Sequence, residues 1–503
     1  MKPERSSGIL LHPTSLPGKY GIGTLGKEAF HFIDFLAKAK QRLWQILPLG
    51  PTGYADSPYQ CFSSKAGNPL LIDLETLVKE NLLEKKDLGT VDSLGEGPVD
   101  YGKVIDVKIP LLHKAWLAFT KHAIPEHKKD YHDFKKENAT WLDDYALFMS
   151  LKEHFNQKPW YKWEKPVKMR EPKVLSELKE ELADKIEFNK FIQYLFFREW
   201  FAVKDYAHQH NIKIIGDIPL YVALDSVDAW ENTGMFQFDE HRNPIAVGGV
   251  PPDYFSKTGQ LWGNPLYRWD VLEKTGFKWW IDRIKSTLNL YDIVRIDHFR
   301  GFAAYWSVPY GEKTAIRGKW IPCPGKKLFE AISREFGDIP IIAEDLGVIT
   351  EDVEDLRDSF GLPGMKILQF AFDSSEENDY IPYNFPKNCI VYTGTHDNDT
   401  VKGWFESAKP EDKKYVLDYL HSTGEDLCWD FIRLAWASVA YTAIVPMQDL
   451  LGLGNESRMN LPGTTINNWM WRAKSSDFST GLAQKLAHLT QLYGRIHASQ
   501  KSQ

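Results

Sequence analysis

A chain of 503 residues, 43% hydrophobic and 26% charged, is too long for one simple core but within reach of an α/β barrel that carries insertions. A net charge of −7 with a pI near 6.1 argues against a broadly basic nucleic-acid surface. No apolar run reaches the roughly 18 residues a membrane span requires.

The first β-like run is SGILLHP, near the N-terminus. Its apolar core, Ile9 to Leu11, is too short for the hydrophobic region of a signal peptide. GIGTLG follows at Gly21–Gly26 and has the G-x-G-x-x-G spacing of a dinucleotide cradle. A helix after it is expected, because Ala29, Phe32, Ile33 and Leu36 share one face. The residues before it, HPTSLPGKY, read as loop, and Gln41–Ala55 supplies no acid for a ribose. The glycines therefore predict a turn that caps a helix or lets a ligand approach the backbone.

Seven more runs follow: around Leu43–Leu49, Ile212–Val222, Tyr291–Gly301, Ile339–Gly347, Gly364–Phe372, Asn388–Asp399 and Thr442–Gly454. Near-continuous apolar runs suit strands buried on both faces, and helical patterns lie between several of them. Eight such strands predict a (β/α)8 TIM barrel with large, mainly helical insertions, forming one catalytic unit over 1–503. The segment 52–211 is too long for a crossover and predicts an inserted subdomain. It includes a helix with Leu142, Tyr145, Ala146 and Met149 on one face. A second inserted subdomain is expected over 225–290. Its stretch 246–269 is rich in Gly, Pro and aromatics without a period, and is expected to be an irregular binding loop.

The lysine-rich piece Glu126–Asn138 also carries acids and reads as a solvated face. Cys61, Cys323, Cys389 and Cys428 form no C-x-x-C pair, so free thiols in a reducing cytoplasm are the expectation. The 18 tryptophans serve bulky cores or flat ligand faces, and composition does not choose between them.

In such a barrel the site lies at the C-terminal strand ends. Those ends carry Asp217 on the third strand, Arg295, Asp297 and His298 on the fourth, Glu344 and Asp345 on the fifth, and His396, Asp397 and Asp399 on the seventh. Converging carboxylates permit divalent-metal binding, glycosidic bond cleavage or structural ion pairing. Two features favour sugar chemistry. Arg295 lies two residues before Asp297, on the same strand face, where it favours the ionised carboxylate and opposes a metal. Tyr54, Tyr59, Tyr254, Phe255 and Trp262 cluster in loops near the same mouth.

The motifs VRIDHFRGF, AEDLG and GTHDND, preceded by GDIPLYV, resemble the four conserved regions of the α-amylase superfamily in chain order. DSPYQCFSSKAGNPLLIDL, GGVPPDYFSKTGQLWGNPLYRW, PMQDLLGLG, RMNLPGTTINNWMWR and the opening SLPGKYGIGTLG resemble glycoside hydrolase family 77, the amylomaltases or disproportionating 4-α-glucanotransferases. The departures are Cys61 and Leu461, and 101–185 carries no family motif.

The resemblance implies Asp297 as nucleophile, Glu344 as acid/base and Asp397 as the third acid. It implies that Tyr59, Asp217, Arg295 and His396 line the reacting subsite, with Tyr254, Trp262 and Asn460 beyond it. It implies a cytoplasmic retaining transferase acting on maltooligosaccharides and other α-1,4-glucans. No cofactor, metal, nucleic acid or membrane is expected, and oligomeric state stays open. An α-glucan hydrolase and a catalytically silent glucan-binding protein are the alternatives. The glycine stretch then becomes a first βα loop beside a glucan site.

Overall fold

The computed structural model describes residues 4–252, 256–372 and 378–496. All eight runs become barrel strands: Ser6–Leu10, Leu43–Gln45, Lys213–Pro219, Ile293–Asp297, Ile341–Ala343, Gly364–Ile367, Cys389–Tyr392 and Thr442–Pro446. The hydrogen-bonded order runs from the sixth strand through the seventh, eighth, first, second, third and fourth to the fifth, with every pair parallel. The Ala343 N–H donates to the Pro363 carbonyl at 2.9 Å and draws the fifth strand to the sixth. The period of two sorts the side chains. Leu43, Ile215, Ile342, Met365, Ile390 and Ile444 pack together inside the barrel. Trp44, Ile214, Val391 and Ala443, each next to one of them in sequence, pack in the cluster that includes the surrounding helices.

Residues 52–211 are mainly helical, with long helices at Tyr101–His122, Ala139–His154 and Ala183–Gln209. Leu142, Tyr145 and Ala146 are buried on the expected face, and Met149 packs against the same cluster. Aromatics fill this core: Trp116, Phe119, Tyr131 and Phe191 meet at ring separations of 4.8–6.2 Å. Trp44, Trp160, Trp200, Trp230, Trp280 and Trp436 are fully buried, so much of the tryptophan content is packing. The lysine-rich helix Pro125–Glu137 buries only Tyr131.

The stretch 246–269 differs from its expectation. Instead of an irregular loop it contains two antiparallel strands, Ala246–Val250 and Gln260–Pro265. They extend into a four-stranded sheet with Ala304–Pro309 and Lys319–Pro322, which follow the fourth barrel strand. The pairing partner lies far away in sequence, and Gly248 and Gly249 with a shifted register hide the alternation.

The GIGTLG stretch leads into the helix Lys27–Lys38, with Gly26 as its N-cap. A Cβ on Gly26 would sit 2.3 Å from the Asp73 carboxylate, which accepts the Thr24 hydroxyl at 3.0 Å. A side-chain carboxylate therefore packs where a dinucleotide would bring its pyrophosphate. No helix among the described residues is long and apolar enough to cross a membrane.

Candidate active site

Register places the first pair. Asp217 on the third strand stands directly opposite Arg295 on the fourth. Arg295 Nη1 donates to Asp217 Oδ2 at 2.6 Å, and its Nη2 lies 3.0 Å from Asp297 Oδ1. One guanidinium thus spans two carboxylates, a geometry its planar fork allows and a lysine does not. Its side chain is 2% exposed, whereas that of Asp297 is 29% exposed, at the mouth. Burial alone would lower the Arg295 pKa, but Asp217 and Asp297 raise it well above the ordinary value. Burial raises Asp217 to about 6 even though Arg295 opposes the shift.

The fourth strand ends in a sharp turn. His298 adopts a left-handed conformation, φ 55°, so its N–H points at the neighbouring strand end and donates to Glu344 Oε2 at 2.6 Å. The Leu346 N–H donates to Glu344 Oε1 at 3.1 Å. Burial, with the charge of Asp297 adding, pushes the Glu344 pKa up to about 8; Arg295 and the two N–H groups only partly offset this. A carboxyl that keeps its proton at neutral pH is suited to general-acid work.

The end of the seventh strand is held by Asn398, whose side-chain oxygen accepts from both the N–H and the hydroxyl of Thr395 at 2.9 Å. His396 and Asp397 project from this turn. Asp397 Oδ1 accepts from Asn460 Nδ2 at 2.6 Å, and Oδ2 lies 3.3 Å from His396 Nε2. Packing of the protein around Asp397 raises its pKa, but His396, Asn460 and Arg295 outweigh that and hold it well below the usual carboxylate range. Tyr59 closes the floor. Its hydroxyl donates to Asp217 Oδ2 at 2.8 Å and lies 2.9 Å from His396 Nε2, while its ring stacks on His396 at 5.3 Å.

Trp262 arrives from the accessory sheet and meets the His298 ring edge-to-face at 4.8 Å and 88°. A family model described as 4-alpha-glucanotransferase matches residues 11–477. The chain is 52% identical to a 4-alpha-glucanotransferase of Clostridium butyricum, over 96% of this chain and all of the relative. It is 49% identical to one of Thermus thermophilus, over 99% and 100%.

The chain belongs to the 4-alpha-glucanotransferase family. Its activity is glucan transfer, and the architecture agrees. An amylomaltase from Streptococcus agalactiae, solved in complex with acarbose, superposes with a TM-score of 0.95 at 42% identity, covering 98% of this chain and all of that one.

The 4-alpha-glucanotransferase fold brings together nine of the ten side chains that the resemblance implied; Tyr254, like Phe255, lies outside the described residues. Sequence reasoning missed Arg458, which donates to the Asp397 carbonyl and the Asn460 carbonyl, each at 2.7 Å, and so ties two loops together. It also missed Trp469, tilted against Tyr59 at 5.9 Å and His396 at 6.0 Å. Both lie within the motif Arg458–Arg472, and nothing in their local pattern separates them from packing residues.

Proposed function

We propose that the transfer runs as a retaining double displacement on maltooligosaccharides and other α-1,4-glucans. Asp297 attacks the anomeric carbon while Glu344 delivers its proton to the leaving glycosidic oxygen. Asp397, kept ionised by its neighbours, grips sugar hydroxyls and stabilises the oxocarbenium-like transition state. Tyr59, Asp217, Arg295 and His396 hold the reacting glucose, and Trp262 and Asn460 extend the site towards further sugars.

The observation that carries this reading is geometric: Glu344, held by the His298 and Leu346 N–H groups, stands at the strand end beside Asp297, which the Arg295 guanidinium contacts. Forming the glucosyl ester removes the Asp297 charge, one of the two influences that raise Glu344. Glu344, its proton already passed to the leaving oxygen, is then more easily held as a carboxylate and serves as the base that takes the proton of the incoming 4-hydroxyl. Four free cysteines suit a reducing cytoplasm; plant relatives from Solanum tuberosum and Arabidopsis thaliana are named as chloroplastic or amyloplastic.

The test is maltotriose, assayed for free glucose and for longer oligomers together. A transferase yields both, a hydrolase yields only shorter products, and a silent binder yields neither. With Glu344→Gln, a donor bearing a very good leaving group should still load Asp297. Mass spectrometry that finds no glucosyl adduct on Asp297 under those conditions defeats the assignment.

A further inference from the structure

Motifs that the mechanism leaves unused converge behind His396. His12 and Ser15 come from the N-terminal motif, Gln448 from PMQDLLGLG, and Ser457 and Arg458 from the stretch before Trp469; with His396 they line one small cavity of about 30 Å³. That volume holds about one or two waters and no sugar.

The hydrogen bonds around the two imidazoles fix where their protons lie. The Leu47 N–H donates to His12 Nδ1 at 3.2 Å, so that nitrogen carries a lone pair and the His12 proton is on Nε2. His12 is 7% exposed, and burial pushes its pKa down to about 3, which keeps the ring neutral. On the other side, the Tyr59 hydroxyl donates to Asp217, so its oxygen accepts from His396 Nε2–H. His396 is 5% exposed, and its Nδ1 is buried without a hydrogen-bond partner among the described residues. A buried nitrogen left so costs free energy unless something meets it.

We propose that an ordered water in this cavity accepts the His12 Nε2–H and donates to His396 Nδ1, making His12 a positioning residue that fixes the His396 tautomer. A hydrogen bond donated by the water to the Nδ1 lone pair favours the tautomer with the ring hydrogen on Nε2. That hydrogen then points at Tyr59 and Asp397, on the side where the reacting glucose sits. The wrong tautomer turns a lone pair towards Asp397, whose negative oxygen repels it. The catalytic consequence rests on the roles given above to His396 and Asp397; the tautomer itself does not.

Nitrogen-15 shifts of histidine-labelled free protein read the tautomer directly, with His396 assigned through His396→Gln. The expected wild-type signature at pH 7 is neutral Nε2–H. Two variants separate positioning from structure. His12→Gln keeps a donor at the Nε2 position and should preserve the signature and the rate. His12→Asn keeps the acceptor for Leu47 but loses the donor into the cavity. It should mix the His396 tautomers and lower kcat about 10–100-fold, the range of a hydrogen bond to a charged group. An imidazolium or Nδ1–H signature in the wild type overturns the proposal, as does a His12→Asn variant with unchanged signature and rate. The wild-type spectrum decides even if a variant fails to fold. It needs no turnover, so its failure leaves the double-displacement reading standing, and the Asp297 adduct tests that reading separately.

Discussion

Arg295 and Asp217 face each other in register across the third and fourth barrel strands, 2.6 Å apart and almost wholly buried. The same guanidinium reaches along its own strand to Asp297. A buried ion pair is weak evidence for stability, because desolvation offsets the attraction, but breaking one leaves a buried charge unpaired. This pair is better understood as a fixture that sets the charge beside Asp297, the proposed nucleophile.

Arg295→Lys tests that view. One ammonium cannot contact both carboxylates in the fork geometry, so turnover should fall by at least about 10²-fold, the scale of losing one preorganised electrostatic contact. Arg295→Ala should also cost about 3–5 kcal/mol of stability by leaving Asp217 buried and unpaired. Urea melts and initial rates check the two parts. A lysine variant near wild-type rate shows that any cation suffices.

The barrel was legible because its strands are buried on both faces and announce themselves by composition. Asp217, Arg295, Asp297, Glu344 and Asp397 were legible because strand ends of such a barrel converge. What stayed hidden depends on partners distant in sequence. Strand Ala246–Val250 pairs with Ala304–Pro309 across the whole fourth barrel strand, and no local period reports that. The role of Arg458 needs the loop at Asp397 beside it. Gly26 was legible despite its motif: the missing strand and acid pointed to a helix-capping turn, Gly26 is the N-cap of Lys27–Lys38, and Asp73, remote in sequence, fills the space that the motif normally keeps for a phosphate.

Glu344 ties activity and stability to pH in a definite direction. Its folded pKa, about 8, lies above the ordinary 4.5. The folded state therefore binds the extra proton between those values, and this contribution is full below about 4.5 and is lost as pH rises through about 8. Glu344→Gln, which is neutral throughout, should gain melting temperature relative to wild type more at pH 8.5 than at pH 5. In the wild type, kcat/KM on maltotriose should fall on an alkaline limb near 8 as the acid loses its proton. A parallel pair of stability profiles, with no alkaline limb up to pH 9.5, shows that Glu344 is ionised at rest.

Arg495 closes the chain onto the barrel. It is fully buried and donates to the carbonyls of Ala435, Trp436, Ser438 and Ala440 at the end of helix Leu427–Ala437, and to Ser6 in the first strand. Ala435 and Trp436 belong to the last turn of that helix, whose carbonyls lack N–H donors further along the helix. Arg495→Met keeps much of the bulk and removes every donor, so buried acceptors that Arg5 shares lose one of two donors, and each acceptor left with none costs about 1–3 kcal/mol. The expected result is a lower urea midpoint with kcat per folded molecule unchanged, since this cluster lies on the far chain ends and touches none of the active-site carboxylates. An unchanged midpoint means that Arg5, which donates to Trp436, Ser438 and Ala440, carries the closure alone.

Trp262 bears on why transfer wins over hydrolysis. In the proposed double displacement the glucosyl-enzyme must wait for a sugar hydroxyl although water is abundant. A bound, oriented acceptor competes because orientation can be worth an effective molarity of about 10⁵–10⁸ M, and shielding of the site helps. Trp262 stands on a sheet strand rather than a floppy loop, against the ring of His298, the residue whose backbone N–H donates to Glu344. In the proposed double displacement it offers a fixed face to an acceptor sugar next to Glu344, the proposed base. Trp262→Ala should therefore lower the ratio of transfer to hydrolysis more than it lowers total cleavage of maltotriose, counted as reducing ends against oligomer distribution. Trp262→Phe, which keeps a face and the contact with His298, should retain most of the ratio. If Trp262→Ala keeps the wild-type ratio while losing overall rate, the indole serves only the donor, and acceptor capture belongs to another wall of the mouth.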